Sequence, residues 1–189
     1  MTIRRVCVYC GSRVGGRPEY VEAAQSLGQA LLARDLELVY GGANVGLMGA
    51  VADTVLEGGG RVTGVIPQGL ERREVAHSGL TDLRVVSSMH ERKSTMASLS
   101  DVFVSLPGGI GTFEETLEMM TWAQLGIHNQ PCGLINVSGF YDGLLNFLDH
   151  SVKEGFMDAE NRELLMVAPE PGDLLDLLEA AYGAHSNAV

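Results

Sequence analysis

The sequence predicts an α/β fold in which a parallel sheet carries helices on both faces. Two observations point there. Apolar runs of strand length alternate with segments of helical period almost from end to end, and three of the strand-to-helix turns are rich in glycine. A chain of 189 residues that is 46% hydrophobic has enough apolar surface for one sizeable core, so a single domain is expected over residues 1–183, with 184–189 as a frayed tail.

The strands are expected at Val6 to Cys10, Leu36 to Tyr40, Val62 to Ile66, Leu83 to Val86, Val102 to Leu106 and Cys132 to Val137, with a weaker one at Leu164 to Val167. Helices are expected at Pro18 to Arg34, Leu47 to Leu56, His90 to Leu99, Phe113 to Leu125, Tyr141 to Glu154 and Asp173 to Tyr182. Pro18 suits a first helical turn, and Gly58-Gly59-Gly60 ends the second helix. No internal repeat, low-complexity tract or linker interrupts the series.

Composition narrows the function. With 24 acidic residues against 13 Lys and Arg, the formal charge of −11 is the wrong sign for gripping DNA or RNA, so no nucleic-acid partner is expected. No run approaches the roughly 18 to 20 apolar residues of a membrane span, and Met1-Thr-Ile-Arg-Arg-Val leads directly into a strand, so a cytoplasmic protein with no membrane partner is expected. A mean hydropathy of +0.11 leaves apolar surface for oligomer contacts. The three cysteines, Cys7, Cys10 and Cys132, are expected as buried thiols; Cys7 and Cys10 form a CxxC, but on a strand positions three apart face opposite sides, and no further ligands complete a metal site.

Ligands of such sheets sit beyond the carboxyl ends of the strands, which is where the glycine turns fall. Cys10-Gly11-Ser12 follows the first strand, the loop from Gly41 to Gly46 the second, and Pro107-Gly108-Gly109-Ile110-Gly111-Thr112 the fifth. Each alone is explained by a tight turn; three at one sheet edge point to amides gathered around an anion. Neither the dinucleotide fingerprint nor the P-loop is complete, since Glu114 and Leu47-Met48 stand where those motifs need glycine and Lys-Ser/Thr. A single phosphate at Gly109 to Thr112 fits better.

Thr112-Phe113-Glu114-Glu115 reads as a capping box, with acidic residues favouring the helix dipole. Carboxylates beside a phosphate site would nevertheless repel it unless one is directed elsewhere, such as towards a sugar. Arg92 lies in an apolar stripe with Met89, Met96 and Leu99, a place where arginine meets an anion or carboxylate, or forms a structural ion pair. Lys93 reads equally as a solvated lysine, and Glu74, inside the charged run Glu71 to Glu74, as a solvent-facing residue.

The block Met89-His90-Glu91-Arg92-Lys93, the segment Leu106-Pro107-Gly108-Gly109-Ile110-Gly111-Thr112-Phe113-Glu114-Glu115 and the run Thr121-Trp122-Ala123-Gln124-Leu125-Gly126-Ile127-His128 together resemble the LONELY GUY family, along nearly the whole chain. That resemblance implies a Rossmann-like doubly wound fold, a homodimer, no metal or organic cofactor, and hydrolysis of the N-glycosidic bond of a cytokinin riboside 5'-monophosphate, with AMP as a further substrate. It implies Arg92 and Glu115 as the catalytic pair, and substrate contacts at Glu74, Lys93, Gly109, Ile110, Gly111, Thr112, Phe113, Glu114 and Thr121. Gly11, Ser12, Gly42, Gly46 and Gly108 join the expected substrate-binding set as members of the three glycine loops. Arg13 and Ile110 depart from the common family residues serine and tyrosine. The alternative from another class is a non-catalytic nucleotide- or cofactor-binding carrier; amino-acid decarboxylation, also attached to this glycine motif, would need a pyridoxal phosphate lysine to which no segment points.

Overall fold

The computed structural model describes residues 2–69 and 76–186. Its elements run β1 (Arg5–Tyr9), α1 (Pro18–Ala33), β2 (Glu37–Tyr40), α2 (Gly46–Glu57), β3 (Val62–Pro67), β4 (Asp82–Val86), α3 (Met89–Ser98), β5 (Val102–Ser105), α4 (Ile110–Gln124), β6 (Cys132–Ile135), a 3-10 turn (Val137–Gly139), α5 (Asp142–Lys153), α6 (Ala159–Glu163), β7 (Leu165–Ala168) and α7 (Pro171–Ser186). All seven strands join one parallel sheet in the order β4-β3-β2-β1-β5-β6-β7. The chain thus winds outwards in one direction from β1 and returns to wind the other way from β5, leaving the crevice of a doubly wound sheet between the carboxyl ends of those two strands.

Two apolar layers sandwich the sheet. Val6 and Val8 of β1 face one layer with Leu27 of α1, Val51 of α2 and Leu174 of α7, whereas Cys7 and Tyr9 face the other with Met96 of α3, Met119 of α4 and Leu148 of α5. This alternation places Cys7 and Cys10 in opposite layers, as a strand must. All three cysteines are free and buried, and burial pushes the thiols of Cys7 and Cys132 up to about 12.

Several boundaries differ from the expectation. The weak seventh strand is present as β7, and the five-residue α6 is an addition that periodicity cannot register over so few positions. The sixth strand ends at Ile135, because Val137–Gly139 turns into a 3-10 segment with Ser138 in the left-handed region. The last helix, expected to stop at Tyr182, continues through Gly183 to Ser186, since one glycine costs only about 1 kcal/mol in a helix that is already formed, less than is needed to end it.

The glycine loops hold one another. Gly11 N–H donates to the carbonyl of Pro107 at 3.0 Å, and Leu47 N–H donates to the carbonyl of Gly11 at 3.0 Å, so the turns after β1, β2 and β5 form a single hydrogen-bonded floor. Gly46 makes the contact possible: it has φ +62°, and a Cβ there would overlap the backbone of Ser12 and Arg13. Gly46→Ala is therefore expected to destabilise the fold by about 2 kcal/mol or more, through left-handed strain and displacement of the first loop. Urea midpoints of the two proteins measure the difference; equal midpoints would remove Gly46 from this role.

Candidate active site

The crevice holds a cavity of about 320 Å³, a size suited to a small ligand. It is lined by the ends of β1 and β2 (Tyr9 to Ser12, Gly41), by Met48 of α2, by Met89, Arg92 and Met96 of α3, and by Gly109 to Thr112, Glu114 and Glu115 of the α4 entry. A second chamber of about 370 Å³ shares Gly11, Ser12 and Gly109 with it.

The start of α4 corrects the capping-box expectation. Gly109, not Thr112, is the N-cap, and Phe113 N–H closes the first helical bond onto the carbonyl of Gly109 at 3.1 Å. No side chain caps the helix and no acidic residue lies in its first turn, so the amides of Ile110, Gly111 and Thr112 end the helix without intrahelical partners. Thr112 instead packs on Gly108, while the Thr116 hydroxyl bonds to the Thr112 carbonyl and to Ser105 of β5, fixing the terminus to the sheet. The pattern that does cap a helix is Ser88-Met89-His90-Glu91: the Ser88 hydroxyl accepts from Glu91 N–H at 3.1 Å, and the Glu91 carboxylate accepts from Ser87 N–H at 2.7 Å.

That cap starts the helix carrying Arg92, which leaves 7% of its surface exposed. Its Nε donates to the carbonyl of Val65 at 3.0 Å and its Nη2 to that of Gly41 at 3.1 Å, so the ends of β3 and β2 fix the guanidinium in two directions. Its Nη1 lies 3.6 Å from Oε1 of Glu115, itself 8% exposed. Of the apolar stripe expected around Arg92, Met96 is buried in the core while Met89 is partly exposed on the cavity wall. Gly41 proves more important than the sequence indicated, because a Cβ at this position would fall on Nη2 of Arg92.

Lys93 points to the other side of α4. It is buried, and its Nζ pairs with Glu114 and, at 2.8 Å, with Glu118, residues one turn apart. Burial disfavours the ammonium, but the two carboxylates outweigh it and hold Lys93 above the usual lysine range. This clamp pairs Glu114 with a cation, and Arg92 does the same for Glu115. The carboxylates near the helix entry are thereby committed to cations.

The other expected positions divide. Gly11, Ser12, Gly109, Ile110, Gly111 and Thr112 line the cavity with Glu114, and Ile110 is 81% exposed. Gly108 opens on the second chamber, Phe113 packs against Phe140 and Tyr141, and Gly42 faces β3, with its carbonyl bonded to His77 N–H. Gly46 is absent from the lining and serves the loop floor. Thr121 lies two turns beyond Glu114 with its hydroxyl on the Leu117 carbonyl, away from this cavity. Glu74 lies outside the described residues. Met48, which also lines the cavity, carried no sequence signal apart from its apolarity, and Met96 was marked only as a member of the Arg92 stripe.

A family model described as "Possible lysine decarboxylase" matches residues 48–178. A protein of Oryza sativa subsp. japonica named probable cytokinin riboside 5'-monophosphate phosphoribohydrolase LOGL1 is 50% identical across 96% of this chain and 81% of its own length. The chain belongs to the LONELY GUY (LOG) family. Arabidopsis thaliana cytokinin riboside 5'-monophosphate phosphoribohydrolase LOG2 is similarly close, at 47% identity over 98% of this chain and 87% of its own. Among solved structures, the molybdenum cofactor carrier protein of Chlamydomonas reinhardtii superposes with a TM-score of 0.72 over 95% of this chain and 98% of its own, at 20% identity, a likeness of fold. Among the described residues, no helix is long and apolar enough to cross a membrane, and no group of three or more His, Cys, Asp or Glu is placed to hold a metal ion.

The site does not fit a pyridoxal phosphate decarboxylase. A Schiff-base lysine must shed its proton, which neighbouring cations or apolar burial promote, whereas two carboxylates keep Lys93 an ammonium. The stability this pair contributes is fully present below the ordinary lysine pKa and is lost only as pH climbs through the raised value. Amine acylation at pH 8 followed by peptide mapping is accordingly expected to label exposed Lys153 and spare Lys93; equal labelling would contradict the clamp.

Proposed function

We propose that this chain hydrolyses the N-glycosidic bond of a nucleoside 5'-monophosphate, a cytokinin riboside 5'-monophosphate or AMP, releasing the free base and ribose 5-phosphate. One observation carries the reading: a buried carboxylate, Glu115, is held by Arg92 in a cavity whose rim is an uncapped helix terminus. The names of its LOG relatives agree with it.

Breaking the bond between C1' and the base nitrogen sends the electron pair to the base and leaves positive charge on the sugar. In this reading Glu115 faces that charge and accepts a proton from the attacking water, whose oxygen bonds to C1'. Water supplies the hydroxyl of ribose 5-phosphate and the proton of the released base, so no oxidant or metal is required. Arg92, with Nε and Nη2 fixed by main-chain carbonyls, turns Nη1 to Glu115 and sets its carboxylate plane. The amides of Ile110, Gly111 and Thr112, reinforced by the helix dipole, bind the phosphate, and that binding orients the anomeric carbon. Ser12, exposed on the opposite rim, adds a hydroxyl.

Glu74 and Thr121 belong to the same proposal as contacts implied by family resemblance, and so does a second copy of the chain in a homodimer. The exposed Leu125 and Ile127, one turn beyond Thr121, are apolar surface that such a copy would cover. A cytoplasmic location accords with this substrate and with three free thiols.

Incubating the protein with AMP or isopentenyladenosine monophosphate, followed by chromatography, is expected to yield free base and ribose 5-phosphate. Glu115→Gln should keep the fold and nucleotide binding but lower kcat on the order of 100-fold or more. Wild-type turnover in that variant would overturn the role of Glu115, and tight binding of nucleotide without product by the unmodified protein would favour a carrier.

A further inference from the structure

The connection from β3 to β4 returns to the sheet as a short strap, Ala76 to Gly79, tied at several points. Ala76 forms an antiparallel bridge with Ala43, and His77 N–H donates to the carbonyl of Gly42 at 2.9 Å. The His77 ring is mostly buried, with Nδ1 accepting from Gly79 N–H at 3.0 Å and Nε2 lying 2.8 Å from Oδ1 of Asp53 in α2. Because Nδ1 is an acceptor, the ring proton resides on Nε2 and is donated to Asp53. One side chain therefore locks the strap's own turn and anchors it to a helix.

The strap fastens to the peptide next to the one that holds Arg92. Gly42, at φ +82°, is confined on its far side by Val65 and Ile66, while the carbonyl of Gly41 takes Nη2 of Arg92 and that of Val65 takes Nε. A Gly-Gly turn has little stiffness of its own, so its carbonyl direction depends on what is packed around it. Gly42 is pinned by β3 on one side and by the strap on the other.

We propose that His77, together with Asp53, is a positioning residue for Arg92: the pair clamps the strap on the Gly41-Gly42 turn and so sets the carbonyl that orients the guanidinium towards Glu115. The kinetic consequence rests on the catalytic reading of Arg92 and Glu115 above. The structural consequence does not.

Asp53→Ala removes the acceptor for Nε2–H, and His77→Asn keeps an acceptor for Gly79 N–H but cannot reach Asp53. Asp53→Asn still presents Oδ1 to Nε2–H and serves as the conservative rescue. In the full-length protein, Asp53→Ala and His77→Asn are expected to lower kcat for AMP cleavage about tenfold with KM within about twofold, while Asp53→Asn stays near wild type, because a misdirected guanidinium affects the reacting geometry more than the hold on phosphate. Solvent exchange of the Arg92 Nε–H, followed by 15N NMR and assigned by its loss in Arg92→Lys, should accelerate in Asp53→Ala and remain slow in Asp53→Asn. Unchanged kcat in both disruptive variants, an Asp53→Asn as impaired as Asp53→Ala, or unchanged exchange in Asp53→Ala would each overturn the proposal. If the wild-type protein cleaves no nucleotide, the function proposed above fails separately, and the exchange measurement alone decides the role of the clamp.

Discussion

The site depends on a buried ion pair, Arg92 with Glu115, placed where the sheet changes winding direction. Taking two charges out of water costs more than their attraction returns unless their remaining hydrogen-bonding capacity is met. Here the main chain meets it: the carbonyls of Val65 and Gly41 take two guanidinium nitrogens, and both lie at carboxyl ends of neighbouring parallel strands. A parallel sheet presents such carbonyl ends side by side, so the fold itself supplies the socket. The missing Cβ of Gly41 and the crossing of α3 over β3 follow from seating an arginine there.

A second constraint comes from charge. Formal charge −11 opposes an anionic ligand at long range, so attraction has to be local and shielded from the chain's own carboxylates. The structure arranges this with little positive charge. Lys93 holds Glu114 and Glu118, Arg92 holds Glu115, and the α4 terminus is left with backbone dipoles. Lys93 thus acts on the cavity indirectly, by pairing with the Glu114 carboxylate on its wall.

Much of the fold was legible because strands covered on both faces read as unbroken apolar runs, and β1, β3 and β5 stand out for that reason. Where burial is one-sided or the element is short, as with the edge strand β4 and the five-residue α6, the signal weakens. The capping pattern misled for a different reason. Ser88-x-x-Glu91 and Thr112-x-x-Glu115 have the same local form, and only tertiary packing, Thr112 against Gly108, decides that the second one begins a turn earlier at Gly109. Arg92 and Glu115 were recognisable, since a cation in an apolar stripe and a carboxylate by a glycine loop are both locally anomalous. Gly41, Val65 and the partners of Lys93 were not, because they meet across separations of 21 to 51 residues.

The hydrogen-bonded loop floor and the uncapped α4 terminus are built almost wholly from main-chain atoms. Under the function proposed here, that divides the molecule's two tasks unequally with respect to inheritance. Grip on the ester belongs to peptide groups that every codon encodes, so most exchanges of surrounding side chains leave it in place. Turnover resides in one carboxylate, which a single nucleotide change can remove. A lineage built on this scaffold can therefore drift from cleaving its ligand to merely retaining it in one step, whereas recovering chemistry requires restoring that particular acid.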